Sequence, residues 1–152
     1  MPEVSQPAPN FTLPGTEGEI TLSDLKGQPV VLFFYPKDDT PGCTKESIGF
    51  SETRADFEAA GARVFGISKD SLAKHEKFIA KHGLQVPLLS DENGSVCEDY
   101  GVWKEKSMYG KKFMGIERTT VLVDAQGTVA RVWNKVKVPG HVDEVLEAVR
   151  AL

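Results

Sequence analysis

Val30-Val31-Leu32-Phe33-Phe34-Tyr35-Pro36-Lys37-Asp38-Asp39-Thr40-Pro41-Gly42-Cys43-Thr44-Lys45-Glu46 runs from a strand into a helix. The first six residues, bounded by Pro29 and Pro36, are β-branched, aliphatic or aromatic without interruption. Such a run predicts a buried strand. A short loop with two prolines and a glycine follows, and Cys43 then sits where a helix can begin. The first helical turn has free N–H groups and the positive end of the helix dipole, and both favour a thiolate over a thiol. Cys43 is therefore the candidate centre of function.

Outward from this stretch the chain alternates strand and helix. Residues 44–60 read as one helix closed by Gly61, Arg63–Ser68 as a second core strand, and Ser71–His82 as a helix closed by Gly83. That order predicts βαβ units with parallel strands. Val86–Ser90 reads as a third strand ending in the Asp91–Gly94 turn, and residues 95–100 as a short helix. Thr119–Asp124 and Thr128–Trp133 flank Ala125-Gln126-Gly127 as a hairpin. Val142, Val145, Leu146, Val149 and Leu152 then form one apolar helix stripe. Before the core strand, Pro7–Gly15 reads as an extended arm, followed by a Gly15–Gly18 turn, a short strand at Ile20–Leu22 and a helical turn at Ser23–Gly27. The layout is that of an α/β, thioredoxin-like fold. It has a central mixed β-sheet flanked by helices, an N-terminal extension, and a single domain over residues 1–152.

The totals narrow the function. With 152 residues, 40% hydrophobic and 26% charged, the composition is that of a globular chain with a real core. A formal charge of −4 gives no reason to expect nucleic acid or an anionic membrane surface as partner. No apolar run approaches the roughly 20 residues that span a bilayer. The start Met1-Pro2-Glu3-Val4-Ser5-Gln6 lacks a basic and apolar leader pattern. Two cysteines, Cys43 and Cys97, make no disulfide framework, and a reducing cytoplasm is the expected compartment.

An ordinary cysteine, with a pKa of about 8.5, is only a few per cent thiolate at neutral pH. A helix start typically contributes less than about 1 kcal/mol to correcting this, so a fixed cation is needed as well. Among Arg54, Arg63, Arg118, Arg131 and Arg150, Arg118 has the unusual position, heading a strand that is otherwise apolar. A guanidinium at such an edge usually has an anion to meet. Its alternative is a surface ion pair with Glu117 or Asp124. Thr40 lies three residues before Cys43, close enough for its hydroxyl to face the same pocket, or else it is a turn or cap residue. His75 and His82 lie seven apart on one helix face without a third ligand at metal spacing, and read as a solvated face; no metal and no cofactor are expected. Lys104–Lys112 reads as a basic surface loop.

Pro36-x-x-x-Thr40-x-x-Cys43 resembles the active-site signature of the peroxiredoxins, and Gly115-Ile116-Glu117-Arg118-Thr119-Thr120 resembles their arginine-bearing segment. Tyr35–Glu46 together with Leu89-Ser90-Asp91 and Val96–Trp103 is similar to the Q-type branch, also called bacterioferritin comigratory proteins. The resemblance spans roughly Pro7 to Leu152. It implies a thiol peroxidase that reduces hydrogen peroxide and organic hydroperoxides. In that scheme Cys43 is the peroxidatic nucleophile, forming a sulfenic acid, and Thr40 and Arg118 act beside it. Gly42 donates its N–H to the peroxide, and Pro36 shields the sulfur. Thioredoxin, or glutaredoxin with glutathione, is the implied reductant, and a monomer the implied state. One departure stands out. Many of the branch carry a resolving cysteine five residues after the peroxidatic one, where this chain has Ile48, or in the next helix, where residues 71–82 contain none. The expected mechanism therefore uses a single cysteine with an external thiol. Cys97 reads as a small buried hydrophobe, with a Cys43–Cys97 disulfide as the alternative mechanism. A disulfide oxidoreductase is disfavoured because Cys43 begins no CxxC, and a non-catalytic redox sensor is the remaining alternative.

Overall fold

The computed structural model describes residues 3–152; the N-terminal reading rests partly on Met1 and Pro2, which lie outside them. In chain order the elements are β1 (Thr12–Leu13), β2 (Ile20–Thr21), β3 (Val30–Phe34), α1 (Pro41–Glu52), α2 (Arg54–Ala59), β4 (Arg63–Ser68), α3 (Leu72–His82) and β5 (Leu88–Ser90). Then follow α4 (Val96–Asp99), β6 (Trp103–Met108), β7 (Lys111–Ile116), β8 (Thr119–Val123), β9 (Val129–Trp133) and α5 (His141–Arg150). A 3-10 turn at Leu22–Leu25 replaces the end of the strand expected at Ile20–Leu22.

Five strands form the central sheet in the order β5-β4-β3-β8-β9. β3 pairs parallel with β4 and β4 with β5, whereas β8 runs antiparallel to β3 and β9 antiparallel to β8. This is the mixed sheet the alternation predicted. β3 lies in the middle with all five residues buried, which is why it reads as an unbroken apolar run rather than an alternating one. Its side chains still alternate by face. Val31 and Phe33 join Tyr35, Cys43, Phe50, Phe57, Phe78, Leu122 and Val145 under α1, α2, α3 and α5. Val30, Leu32 and Phe34 join Phe11, Leu13, Ile67, Cys97, Tyr100 and Val121 on the other face, beneath the N-terminal arm and α4. Gly66 in β4 is required here, because a Cβ would stand 2.6 Å from the Phe33 ring.

Helix boundaries follow local chemistry. α3 starts at Ser71, whose Oγ accepts the Lys74 N–H, and stops at Gly83 in the left-handed region (φ 61°). The single helix expected over 44–60 is instead two, parted at Thr53. Its hydroxyl donates to the Gly49 carbonyl at 2.8 Å, a back-bond that competes with the helical ladder and bends the chain. The region expected to be a basic loop is the β6–β7 hairpin, paired from Trp103↔Ile116 to Met108↔Lys111. Tyr109 and Gly110 turn it with φ of 53° and 78°, as a two-residue turn with both φ positive requires. Tyrosine is not a signal for that conformation, and both faces of the hairpin mix polar and apolar residues, so the strands carried no clean alternation to read.

Candidate active site

The chain leaves the buried end of β3 at Tyr35, crosses Pro36–Asp39, and enters α1 at Pro41, the first helical position, where proline's missing N–H costs nothing. Thr40 occupies the N-cap with extended backbone (φ −96°, ψ 152°), but its hydroxyl does not cap. It donates instead to the Lys37 carbonyl at 2.9 Å, closing the loop on itself. The Gly42 and Cys43 N–H groups at the positive end of α1 are therefore left without a side-chain cap. With its proton committed to Lys37, the Thr40 oxygen keeps lone pairs to accept a hydrogen bond. Cys43 is 1% exposed, and half-buried Pro36 lies at the other end of the loop.

Arg118, from 75 residues further along, reaches this point. It immediately precedes β8, whose register sets Thr119 against Phe34 at the end of β3. Its Nη2 lies 3.1 Å from Cys43 Sγ and its Nη1 lies 2.6 Å from Glu46 Oε1, so one fork holds sulfur and carboxylate together. Neither surface ion pair offered as the alternative is formed; the acidic partner is Glu46. Gly42 permits the approach, since a Cβ there would stand 3.1 Å from Arg118 Nη2. Burial works against the Arg118 charge, and Glu46 and Cys43 outweigh it, raising its pKa. Burial raises the Glu46 carboxyl to about 7, with Arg118 opposing only in part. Glu46 Oε2 has no hydrogen-bond partner among the described residues.

Thr40, Gly42, Cys43 and Arg118 thus meet at the start of α1, with Pro36 at the base of the same loop. Cys97 does not join them. It is fully buried in α4 and belongs to the cluster on the opposite face of the sheet. Its N–H donates to Asp91 Oδ2 at 2.8 Å, and burial together with Asp91 pushes its thiol far above the ordinary range. Three residues near the site escaped the sequence reading. Glu46, one turn after Cys43, could have been found as an acidic group on the same helix face as the thiol. Asp38 and His75 could not. His75 is fully buried rather than part of a solvated face, because its Nδ1 meets Asp38 Oδ2 at 2.6 Å. His82 meets Asp39 Oδ1 at 2.8 Å.

A mixed sheet that delivers a buried thiol to a helix start, with a guanidinium 3.1 Å from the sulfur, defines a thioredoxin-like thiol enzyme class. Comparison with known proteins narrows this. The profile of the AhpC/TSA family matches residues 4–132. The chain is 56% identical over 145 residues to a putative peroxiredoxin bcp of Coxiella burnetii, covering 95% of this chain and 96% of that one. It is 46% identical over 149 residues to peroxiredoxin Bcp of Bacillus subtilis, covering 97% and 95%. Among solved structures, Xanthomonas campestris peroxiredoxin Q superposes with a TM-score of 0.87 at 45% identity, covering 93% of this chain and 90% of that one. Mycobacterium tuberculosis peroxidoxin BcpB superposes with 0.86 at 35% identity, covering 100% and 99%. The chain belongs to the AhpC/TSA family, in its Q-type (Bcp) peroxiredoxin branch.

Proposed function

We propose that this peroxiredoxin reduces hydrogen peroxide and organic hydroperoxides through Cys43 alone, and that an external thiol regenerates it. The single observation that carries the reading is the Arg118 guanidinium at 3.1 Å from a buried sulfur at the start of a helix. The Cys43 thiolate attacks the terminal peroxide oxygen; the S–O bond forms as the O–O bond breaks. Sulfur is oxidised to the sulfenic acid, and the departing oxygen takes up the proton the thiol gave up, leaving as water or alcohol. Thr40 accepts the hydrogen bond of the incoming peroxide, and the Gly42 and Cys43 N–H groups donate to it. Arg118 stabilises charge as it moves from sulfur along the O–O bond. Pro36 keeps bulk water from the sulfur. Two external thiol equivalents then return the sulfenic acid to thiol, releasing water and a disulfide; thioredoxin, or glutaredoxin with glutathione, fits that role. A solved Xanthomonas campestris relative described for alkyl peroxide reduction supports organic hydroperoxides as substrates. The Q-type resemblance supports a one-domain monomer, and two unpaired cysteines suit the reducing cytoplasm.

The test is intact mass after one equivalent of peroxide without reductant. A gain of one oxygen is expected, and a loss of two hydrogens would replace this route with a Cys43–Cys97 bridge. Such a bridge needs Cα atoms within about 7 Å, yet the two thiols lie on opposite faces of the sheet. Cys97→Ser is accordingly expected to keep steady-state peroxide consumption within about twofold, as a buried Cys-to-Ser change perturbs packing more than chemistry; collapse of turnover would make Cys97 the resolver. Consumption should continue for many equivalents per protein when coupled to a dithiol. A reaction that stops at one equivalent would favour the redox sensor.

A further inference from the structure

The loop that carries Pro36 and Thr40 is fastened to α3 by a buried polar cluster that the chemistry at Cys43 does not use. Asp38, whose side chain is 6% exposed, accepts from Tyr35 Oη on one carboxylate oxygen at 2.6 Å and meets His75 Nδ1 on the other at 2.6 Å. The Asp38 N–H donates to Asp70 Oδ2 at 2.8 Å, and Ser68 Oγ donates to the same oxygen at 2.8 Å. His75 Nε2 donates to the Leu89 carbonyl at 2.9 Å, so the ring is fixed against β5 as well. Next in the chain, Asp39 stands in the left-handed region (φ 60°), tied to α3 through Lys81 and His82 at 2.6 and 2.8 Å. Aspartate tolerates that region better than most non-glycine residues, and these two contacts hold it there. Four consecutive residues, Lys37 to Thr40, thus have their conformation set by contacts, and the last of those contacts is Thr40 Oγ1 on the Lys37 carbonyl.

We propose that Asp38, clamped by Tyr35 and His75, is a positioning residue for the Cys43 reaction: it fixes the Lys37 carbonyl and, through it, the direction in which the Thr40 oxygen presents its lone pairs. The assignment rests on the peroxidase reading of Cys43. Asp38 touches neither sulfur nor peroxide. Its effect is on a step that needs Thr40 aimed, and displacement of a positioning group by about 1 Å can cost up to about 10²-fold. Alkylation of the sulfur needs no such aim.

The experiment compares two second-order rate constants, for hydrogen peroxide and for iodoacetamide, in the full-length wild type, Asp38→Ala and Asp38→Asn. Asp38→Ala is expected to lower the peroxide rate at least about tenfold with iodoacetamide nearly unchanged. Asp38→Asn is expected to restore most of the loss. Its oxygen can accept from Tyr35, and its NH₂ can donate to an unprotonated His75 Nδ1 while Nε2 still donates to Leu89. Proportional loss of both rates, or no loss of either, overturns the assignment. Should Asp38→Ala fail to fold, Tyr35→Phe decides. It removes one hydroxyl from a ring that stays packed, and it must lower the ratio of peroxide to iodoacetamide rates; an unchanged ratio overturns the assignment. A wild type that consumes only one equivalent of peroxide overturns the peroxidase reading and the assignment with it. A wild type that turns over, with equal ratios in every variant, overturns the assignment alone.

Discussion

Arg118→Ala is expected to slow the reaction of Cys43 with hydroperoxide by about 10²–10³-fold, the loss seen when one preorganised donor is taken from a developing charge. The same substitution should also slow alkylation of Cys43, because the guanidinium 3.1 Å from the sulfur no longer stabilises negative charge on it. Two further variants separate charge from geometry. Arg118→Lys keeps a positive charge but cannot span from sulfur to Glu46 Oε1 as the guanidinium fork does, so it should recover only part of the rate. Glu46→Gln leaves an acceptor for Arg118 Nη1 and should leave most of the rate intact. Peroxide and alkylation rates in Arg118→Ala identical to those of the wild type would remove Arg118 from the role given to it. A stability loss is also expected, since the buried Glu46 carboxyl would be left with no partner on either oxygen.

The parts of this site written in short spans of sequence were legible from residue order alone. A continuous apolar run placed β3, a proline-glycine loop placed the helix start, and an arginine heading an apolar strand placed the cation. What could not be read was contact between spans. Glu46 becomes Arg118's second partner only because β8 lies beside β3 in antiparallel register, which brings residues 72 apart to 2.6 Å. His75 had the spacing of an exposed helix face, yet α3 turns that position onto Asp38, where tertiary pairing overrides what a polar residue on a helix ordinarily signals. The Thr53 break and the Tyr109-Gly110 turn failed for a different reason. The break turns on one hydroxyl bonding the Gly49 carbonyl, and the turn on Tyr109 at φ 53°, a state tyrosine seldom adopts, so neither has a clear compositional signal.

Folding stability between about pH 4.5 and 6.5 is expected to be nearly independent of Glu46 and His141 taken together, because the two groups pull in opposite directions. Burial raises the folded-state pKa of Glu46 from 4.5 to about 7, so the fold holds its proton more tightly than the unfolded chain does. The stability this contributes is full below pH 4.5 and is lost as pH rises to about 7; each pH unit in that window costs about 1.4 kcal/mol, some 3 kcal/mol in all. His141 is 4% exposed, its Nε2 lies 2.8 Å from Thr120 Oγ1, and burial lowers its pKa from 6.5 to about 4. Its contribution is full above pH 6.5 and is lost as pH falls to about 4, again about 3 kcal/mol. Glu46→Gln removes the first term and leaves the second exposed. Urea unfolding of that variant should therefore show stability climbing with pH from about 4 to 6.5. The difference between wild type and variant, in which all shared titrations cancel, should fall by about 3 kcal/mol between pH 4.5 and 7. A difference that is flat across that window would mean that Glu46 is ionised in the fold throughout. The Arg118 charge would then be divided between carboxylate and sulfur at every pH, rather than directed at the sulfur alone once the carboxyl is protonated.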